Sequence, residues 1–173
     1  MMRRERHLCG RWRWLALAAA IVLADQGIKG WIAAQFPLGA SQAVMPFFNL
    51  VHLLNDGAAF SLLAGAGGWQ RYVFIALTSA VSGVLAFRLL QGVANRWEGW
   101  GYGLLLGGAL GNLTDRVTRG AVVDYLDLHA GGWRWPAFNL ADTVLCLSVL
   151  VLLVGMLLGP DQAEIPPVET DNV

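Results

Sequence analysis

The sequence predicts an α-helical integral membrane protein with four membrane-spanning helices. Three observations carry that expectation. Hydrophobic residues fill 56% of the 173 positions and charged ones only 14%, against about 25% charged in an ordinary soluble domain. Apolar stretches near the ~20 residues that a bilayer-crossing helix needs fall at residues 12–34, 69–90, 99–117 and 140–158. Aspartates, finally, gather at the edges of these runs, where ionisable groups are costly and mark functional sites. The length fits one domain, residues 1–159, followed by a tail at 160–173 whose three prolines and four acids predict disorder. A formal net charge of zero provides no electrostatic case for nucleic acid. Cys9 and Cys146 lie far apart without metal-type spacing, so neither a disulfide nor a metal site is expected.

The N-terminus carries Arg3, Arg4, Arg6, Arg11 and Arg13 with a single acid, Glu5. An apolar run from Trp14, with small residues at Ala18, Ala19, Ala20 and Ala24, admits a cleaved secretory signal. The pattern resumes past Asp25 through Ile28, Trp31 and Ile32, which favours a retained span over 12–34. Asp25 and Lys29 stand four apart near its far end and share a helix face. Two readings remain open for them: a neutralised pair with a snorkelling lysine, or a brace for an outer polar site.

Residues 36–66 do not form a span, since they hold Pro37, Pro46, Asn49, His52, Asn55 and Asp56. An apolar β-like piece at 47–54 leads into the turn signal Asn55-Asp56-Gly57, and 58–64 suits a short interfacial helix. His52 reads as interfacial, with no second ligand at metal spacing. The second span, 69–90, is framed by Trp69, Arg71 and Tyr72 at one end and Arg88 at the other, with a polar turn over 91–97. In the third span Gly103, Gly107 and Gly111 recur every four residues, the small-residue pattern that lets helix backbones approach closely. Its end brings Asn112, Asp115 and Arg116. Asp115 reads as an ion-pair partner of Arg116, and Asp56 and Asp127 as solvated loop residues. Arginines predominate on the side of the two termini, with Arg88 and Arg96 joining the N-terminal five. The positive-inside rule then places both termini in the cytoplasm and turns 36–66 and 118–139 outward. The unusual polar residues thereby collect at one membrane face.

No serine–histidine, cysteine–histidine or zinc-protease arrangement is present, so the candidate chemistry belongs to carboxylates. Asn139 and Asp142 are spaced as N-cap and third helical residue, a capping-box arrangement at the start of the fourth helix, where the dipole favours an ionised acid. Asp124 lies in the apolar piece Ala121-Val-Val-Asp-Tyr125, where burial raises a carboxyl pKa. Two carboxylates in unlike environments can share a proton and work as base and acid. The bland alternative makes Asp142 a cap and Asp124 a loop residue, and spacing alone does not show that they meet. A proton-coupled transporter using Asp25, Lys29, Asp115 and Arg116 is a second function class, although such paths favour mid-bilayer polar groups. A structural subunit with the glycine seam as its partner surface is a third.

The blocks Asp25-Gln-x-x-Lys29, Asn55-x-Gly-Ala-Ala-Phe60, Gly111-Asn-x-x-Asp-Arg116, Val122-Val-Asp124 and Phe138-Asn-x-Ala-Asp142 together resemble lipoprotein signal peptidase (signal peptidase II). They stand in that family's order over about residues 15–158. The resemblance implies an aspartyl endopeptidase of the bacterial cytoplasmic (inner) membrane that removes the signal peptide of prolipoproteins before a diacylglyceryl-modified cysteine. It assigns catalysis to Asp124 and Asp142. Asp25, Lys29, Asn55, Gly57, Asn112, Asp115, Arg116 and Asn139 then shape or support the site. It further implies four membrane helices, an outward β-cradle built from 47–54 and part of 118–136, and a lid-like helix at 58–64. The expected partners are the lipidated substrate and membrane lipid, with a monomeric enzyme and no metal or cofactor. Two departures stand out: Tyr125 replaces an expected phenylalanine, and Asp56 adds an acid.

Overall fold

The computed structural model describes residues 2–57 and 67–158, with side chains from residue 11 onward. The expected interfacial helix at 58–64 and the tail at 160–173 lie outside the described residues. Among the described residues four long helices, α1 (Met2–Gln35), α2 (Trp69–Gln91), α3 (Arg96–Thr118) and α4 (Leu140–Leu158), frame four strands. The strands are β1 (Ser41–Met45), β2 (Phe48–Asn55), β3 (Val122–Ala130) and β4 (Trp133–Arg134). Arg11–Gln35 within α1, α2 and α4 are long and apolar enough to cross a membrane. Helix α3 falls outside that class, because its glycines and its Asn112, Asp115 and Arg116 dilute the apolar run.

Helix α3 nevertheless organises the molecule: α1, α2 and α4 all pack on it. It begins three residues before the expected 99 because Asn95 caps it. The Asn95 side chain accepts Glu98 N–H at 2.9 Å, and Glu98 Oε2 accepts Ala94 N–H at 3.0 Å. The glycine repeat faces α1, where a Cβ on Gly107 would stand 2.8 Å from Ile21 Cβ. A second face, Gly101 and Gly108, receives α4, and a Cβ on Gly108 would stand 2.7 Å from the Ala141 carbonyl oxygen. Close backbone approach on two sides is why glycine occupies these positions. Apolar packing fills the seams, with Trp14, Ala18, Leu85, Leu89 and Leu106 at one end and Ile21, Leu104 and Val144 further along.

The strands form one antiparallel sheet in the order β1-β2-β3-β4. The β-like piece at 47–54 is β2, and β3 with β4 comes from 118–136, as expected. The exposed strand β1 was not expected: it is short, and both of its faces lie open, so it lacks the alternation that marks a half-buried strand. Because the sheet is built from the α1–α2 and α3–α4 connections, it caps one end of the helices. Its inner face meets them through Val123 and Tyr125, packed with Ile32 near Phe36, Leu50 and Leu140.

Candidate active site

Where sheet and helices meet, polar side chains are buried in two connected layers. The deeper layer centres on Lys29, whose side chain is fully buried. Its ammonium group lies 2.8 Å from Asp25 Oδ2, 2.8 Å from Asp115 Oδ2 and 3.0 Å from Asn112 Oδ1, which uses all three of its donors. Asp25 Oδ1 accepts the Ala141 N–H at 3.0 Å, and Asp115 Oδ2 accepts the Val123 N–H at 3.1 Å. Asp115 also pairs with Arg119. Two carboxylates thus face two cations, and the same atoms tie α1 to α3, α4 and β3. The alternatives left open for Asp25 and Lys29 are decided by burial: the lysine does not snorkel.

The upper layer holds the proposed pair. Asn139 and Asp142 form the reciprocal box, with Asn139 Oδ1 accepting Asp142 N–H at 2.9 Å and Asp142 Oδ2 accepting Asn139 N–H at 3.2 Å. Asp142 Oδ1 accepts from Asn112 Nδ2 at 2.8 Å. On β3, Asp124 is 3% exposed. Its Oδ1 accepts from Asn139 Nδ2 at 2.8 Å and its Oδ2 from Asn55 Nδ2 at 3.1 Å. Asn139 therefore spans the two acids, holding Asp142 through its backbone and Asp124 through its amide. Burial, reinforced by the charge of Asp142, pushes the Asp124 carboxyl up to about 7, against the pull of the Asn55 and Asn139 hydrogen bonds and of Lys29.

A cavity of about 610 Å³ opens beside the pair, between α2 and α4 over α3. Its polar end presents Asn55, Asn112, Arg116 and Asp142, and its apolar walls include Phe74, Leu77, Val81, Leu105 and Leu145. Arg116 lies over the Phe74 ring and donates to the Gly57 carbonyl at 2.8 Å, while Asn55 Oδ1 accepts Gly57 N–H at 3.0 Å. Gly57 is thus held from both sides at the edge of the cavity. An apolar chamber with a few convergent polar groups is the usual form of a ligand site. No group of three or more candidate metal ligands occurs among the described residues.

Eight of the ten residues singled out by sequence fall in these two layers, and Arg116 and Gly57 stand beside the cavity. Four expectations are corrected. Asp115 pairs with Lys29 and Arg119 rather than with Arg116, because the 115 and 116 side chains leave α3 in different directions. Asp127 is not solvated: it is 2% exposed and accepts from Asn49 Nδ2 at 2.8 Å across the β2–β3 pair. Asp56 is half-buried and accepts from Gln70 at 3.4 Å. His52 is buried rather than interfacial, and its ring bonds the Phe36 carbonyl at 2.8 Å. Sequence reasoning missed Gln26, which donates to Asp115 and to the Gly111 carbonyl, and Arg71, which donates to the Arg116 and Val117 carbonyls. It missed Arg119 too, although its position four residues after Asp115 is a helix-pairing signal. Cys146, read as bland, lines the cavity one turn beyond Asp142.

Helices that suit a membrane, a capping sheet and buried acids beside an apolar cavity define a candidate membrane-enzyme site. Comparison with known proteins makes the assignment specific. A profile of Signal peptidase (SPase) II matches residues 17–158. A lipoprotein signal peptidase of Janthinobacterium sp. (strain Marseille) is 46% identical over 140 residues, covering 81% of this chain and 85% of that protein. Its counterpart in Aeromonas hydrophila is 43% identical over 159 residues, covering 91% and 94%. A solved bacterial membrane enzyme superposes with a TM-score of 0.76 at 31% identity, covering 91% of this chain and 94% of that one. The chain belongs to the signal peptidase II family. It is a peptidase, and the transporter and structural-subunit readings fall.

Proposed function

We propose that this membrane peptidase is an aspartyl endopeptidase that removes the signal peptide from diacylglyceryl-modified prolipoproteins of a bacterial inner membrane. One observation carries the reading: Asn139 links Asp124 to Asp142, and Asp142 lines the polar end of an apolar cavity. At neutral pH Asp124 carries the shared proton, consistent with a carboxyl raised to about 7, and Asp142 is the ionised partner at a helix N-terminus. Asp142 takes a proton from water as the water attacks the scissile carbonyl, and Asp124 protonates the carbonyl oxygen. The resulting gem-diol collapses with a proton passing from the pair to the leaving amine. Arg116 and Asn112 border the place where the carbonyl lies, and the apolar walls accept the lipid-bearing side of the substrate.

The topology of this reading is four spans with both termini cytoplasmic. Helix α3 has 23 residues, about 35 Å at 1.5 Å per residue, which suffices for a bilayer core of about 30 Å. Its poor hydropathy is tolerable because three neighbours cover it. The sheet end then lies outward, and residues 1–159 act as a single domain.

The test is cleavage of a diacylglyceryl-modified prolipoprotein in detergent. Asp124→Asn and Asp142→Asn are expected to fold as wild type and to lose at least about a thousandfold in kcat, the order seen when a catalytic acid or base is removed. Wild-type rates from either variant would overturn the dyad.

A further inference from the structure

We propose that Tyr125 is a positioning residue for this reaction, its buried hydroxyl fixing the start of α4 and thereby the carboxylate of Asp142. The proposal rests on the dyad reading of Asp142. Three successive N–H groups at the start of α4 are taken by three different parts of the molecule. Leu140 N–H donates to the Tyr125 hydroxyl at 3.0 Å, Ala141 N–H to Asp25 Oδ1 at 3.0 Å, and Asp142 N–H to Asn139 Oδ1 at 2.9 Å. Helix starts leave such donors without intrahelical partners, and here β3, α1 and the helix's own cap supply them.

Tyr125 is suited to this work by its surroundings. It is 4% exposed and belongs to the buried cluster with Ile32 and Val123, against which Leu50 and Leu140 pack, so its oxygen has little freedom. Adjacent residues on one strand thus act on the same helix start from opposite faces: Asp124 through the Asn139 amide and Tyr125 through the Leu140 N–H. A phenylalanine, the residue the family resemblance leads one to expect, has no acceptor to offer. Tyr125 touches none of the reacting atoms, and its influence passes through α4.

Tyr125→Phe keeps the ring and its packing and removes one oxygen, so the variant is expected to fold. It is measured beside wild type and Asp142→Asn in the prolipoprotein cleavage assay, with amide hydrogen exchange followed over residues 138–146. The expected result is a kcat lower by about tenfold, as for a small displacement of a reacting group. KM stays unchanged, and exchange at Leu140 quickens. A kcat at the wild-type level overturns the proposal, whether or not exchange quickens, since a cap that merely stabilises α4 leaves kcat in place. A raised KM with unchanged kcat overturns it as well. Failure of the underlying reading appears separately, as full activity in Asp142→Asn.

Discussion

Lys29 shows how much one buried charge organises. Its ammonium group answers two buried carboxylates and the Asn112 side-chain oxygen, and removal of one partner of a buried pair leaves the others uncompensated. Lys29→Met is therefore expected to cost about 3–5 kcal/mol, seen as a large drop in the thermal midpoint in detergent. Asp124 predicts a pH dependence. Its carboxyl lies near 7 in the folded protein and near 3.9 in the unfolded chain. The folded state therefore binds the extra proton between those values. Stability is greatest below about pH 4 with respect to this group, and falls as pH rises until the folded pKa is passed. Asp124→Asn is expected to remove that slope from a pH series of unfolding midpoints. In catalysis the same proton is needed, so kcat is expected to fall above about pH 7, as an apparent value of the coupled pair.

At the scale of elements, the α3–α4 seam sets the site as much as the acids do. Gly108 lets Ala141 approach, and Ala141 is the neighbour of Asp142. Gly108→Val is expected to force the helices apart, costing about 1–3 kcal/mol by overpacking and lowering kcat as well as the unfolding midpoint. Retained kcat would show that the seam does not govern Asp142. The Gly103–Gly107–Gly111 repeat was legible because its period of four matches a helix face. The Gly101–Gly108 face escaped notice because a single seven-residue interval among many glycines carries no visible pattern. Strand β1 was missed for want of alternation, whereas β2 was marked by its apolar run and the Asn55–Gly57 turn.

For the whole molecule the decisive quantity is topology. With the sheet outward, Ala130→Cys in a chain lacking Cys9 and Cys146 is expected to react with an impermeant maleimide on intact spheroplasts. Ala94→Cys, in the α2–α3 turn, is expected to react only after permeabilisation. The reverse pattern would invert the arrangement, and equal labelling would remove α3 or α2 from the membrane. The polar residues of α1, α3 and α4 converge with those of the sheet because each sits at the sheet end of its helix. That convergence was readable from the span boundaries.

The sequence by itself determined the helical membrane character, the three most apolar spans, and the five motif blocks that mark the family. These are local properties, carried by hydropathy, spacing and capping chemistry. The Asn139–Asp142 box was legible for the same reason, since both partners lie within one helical turn. Only the tertiary structure decided that Asp124 and Asp142 share Asn139, that Asp115 answers Lys29 rather than its neighbour Arg116, and that Asp127 is buried. Each of these joins residues remote in the chain or turned apart by helix geometry. What brings them together is the packing of α1 and α4 into the glycine faces of α3, with the sheet closing the end.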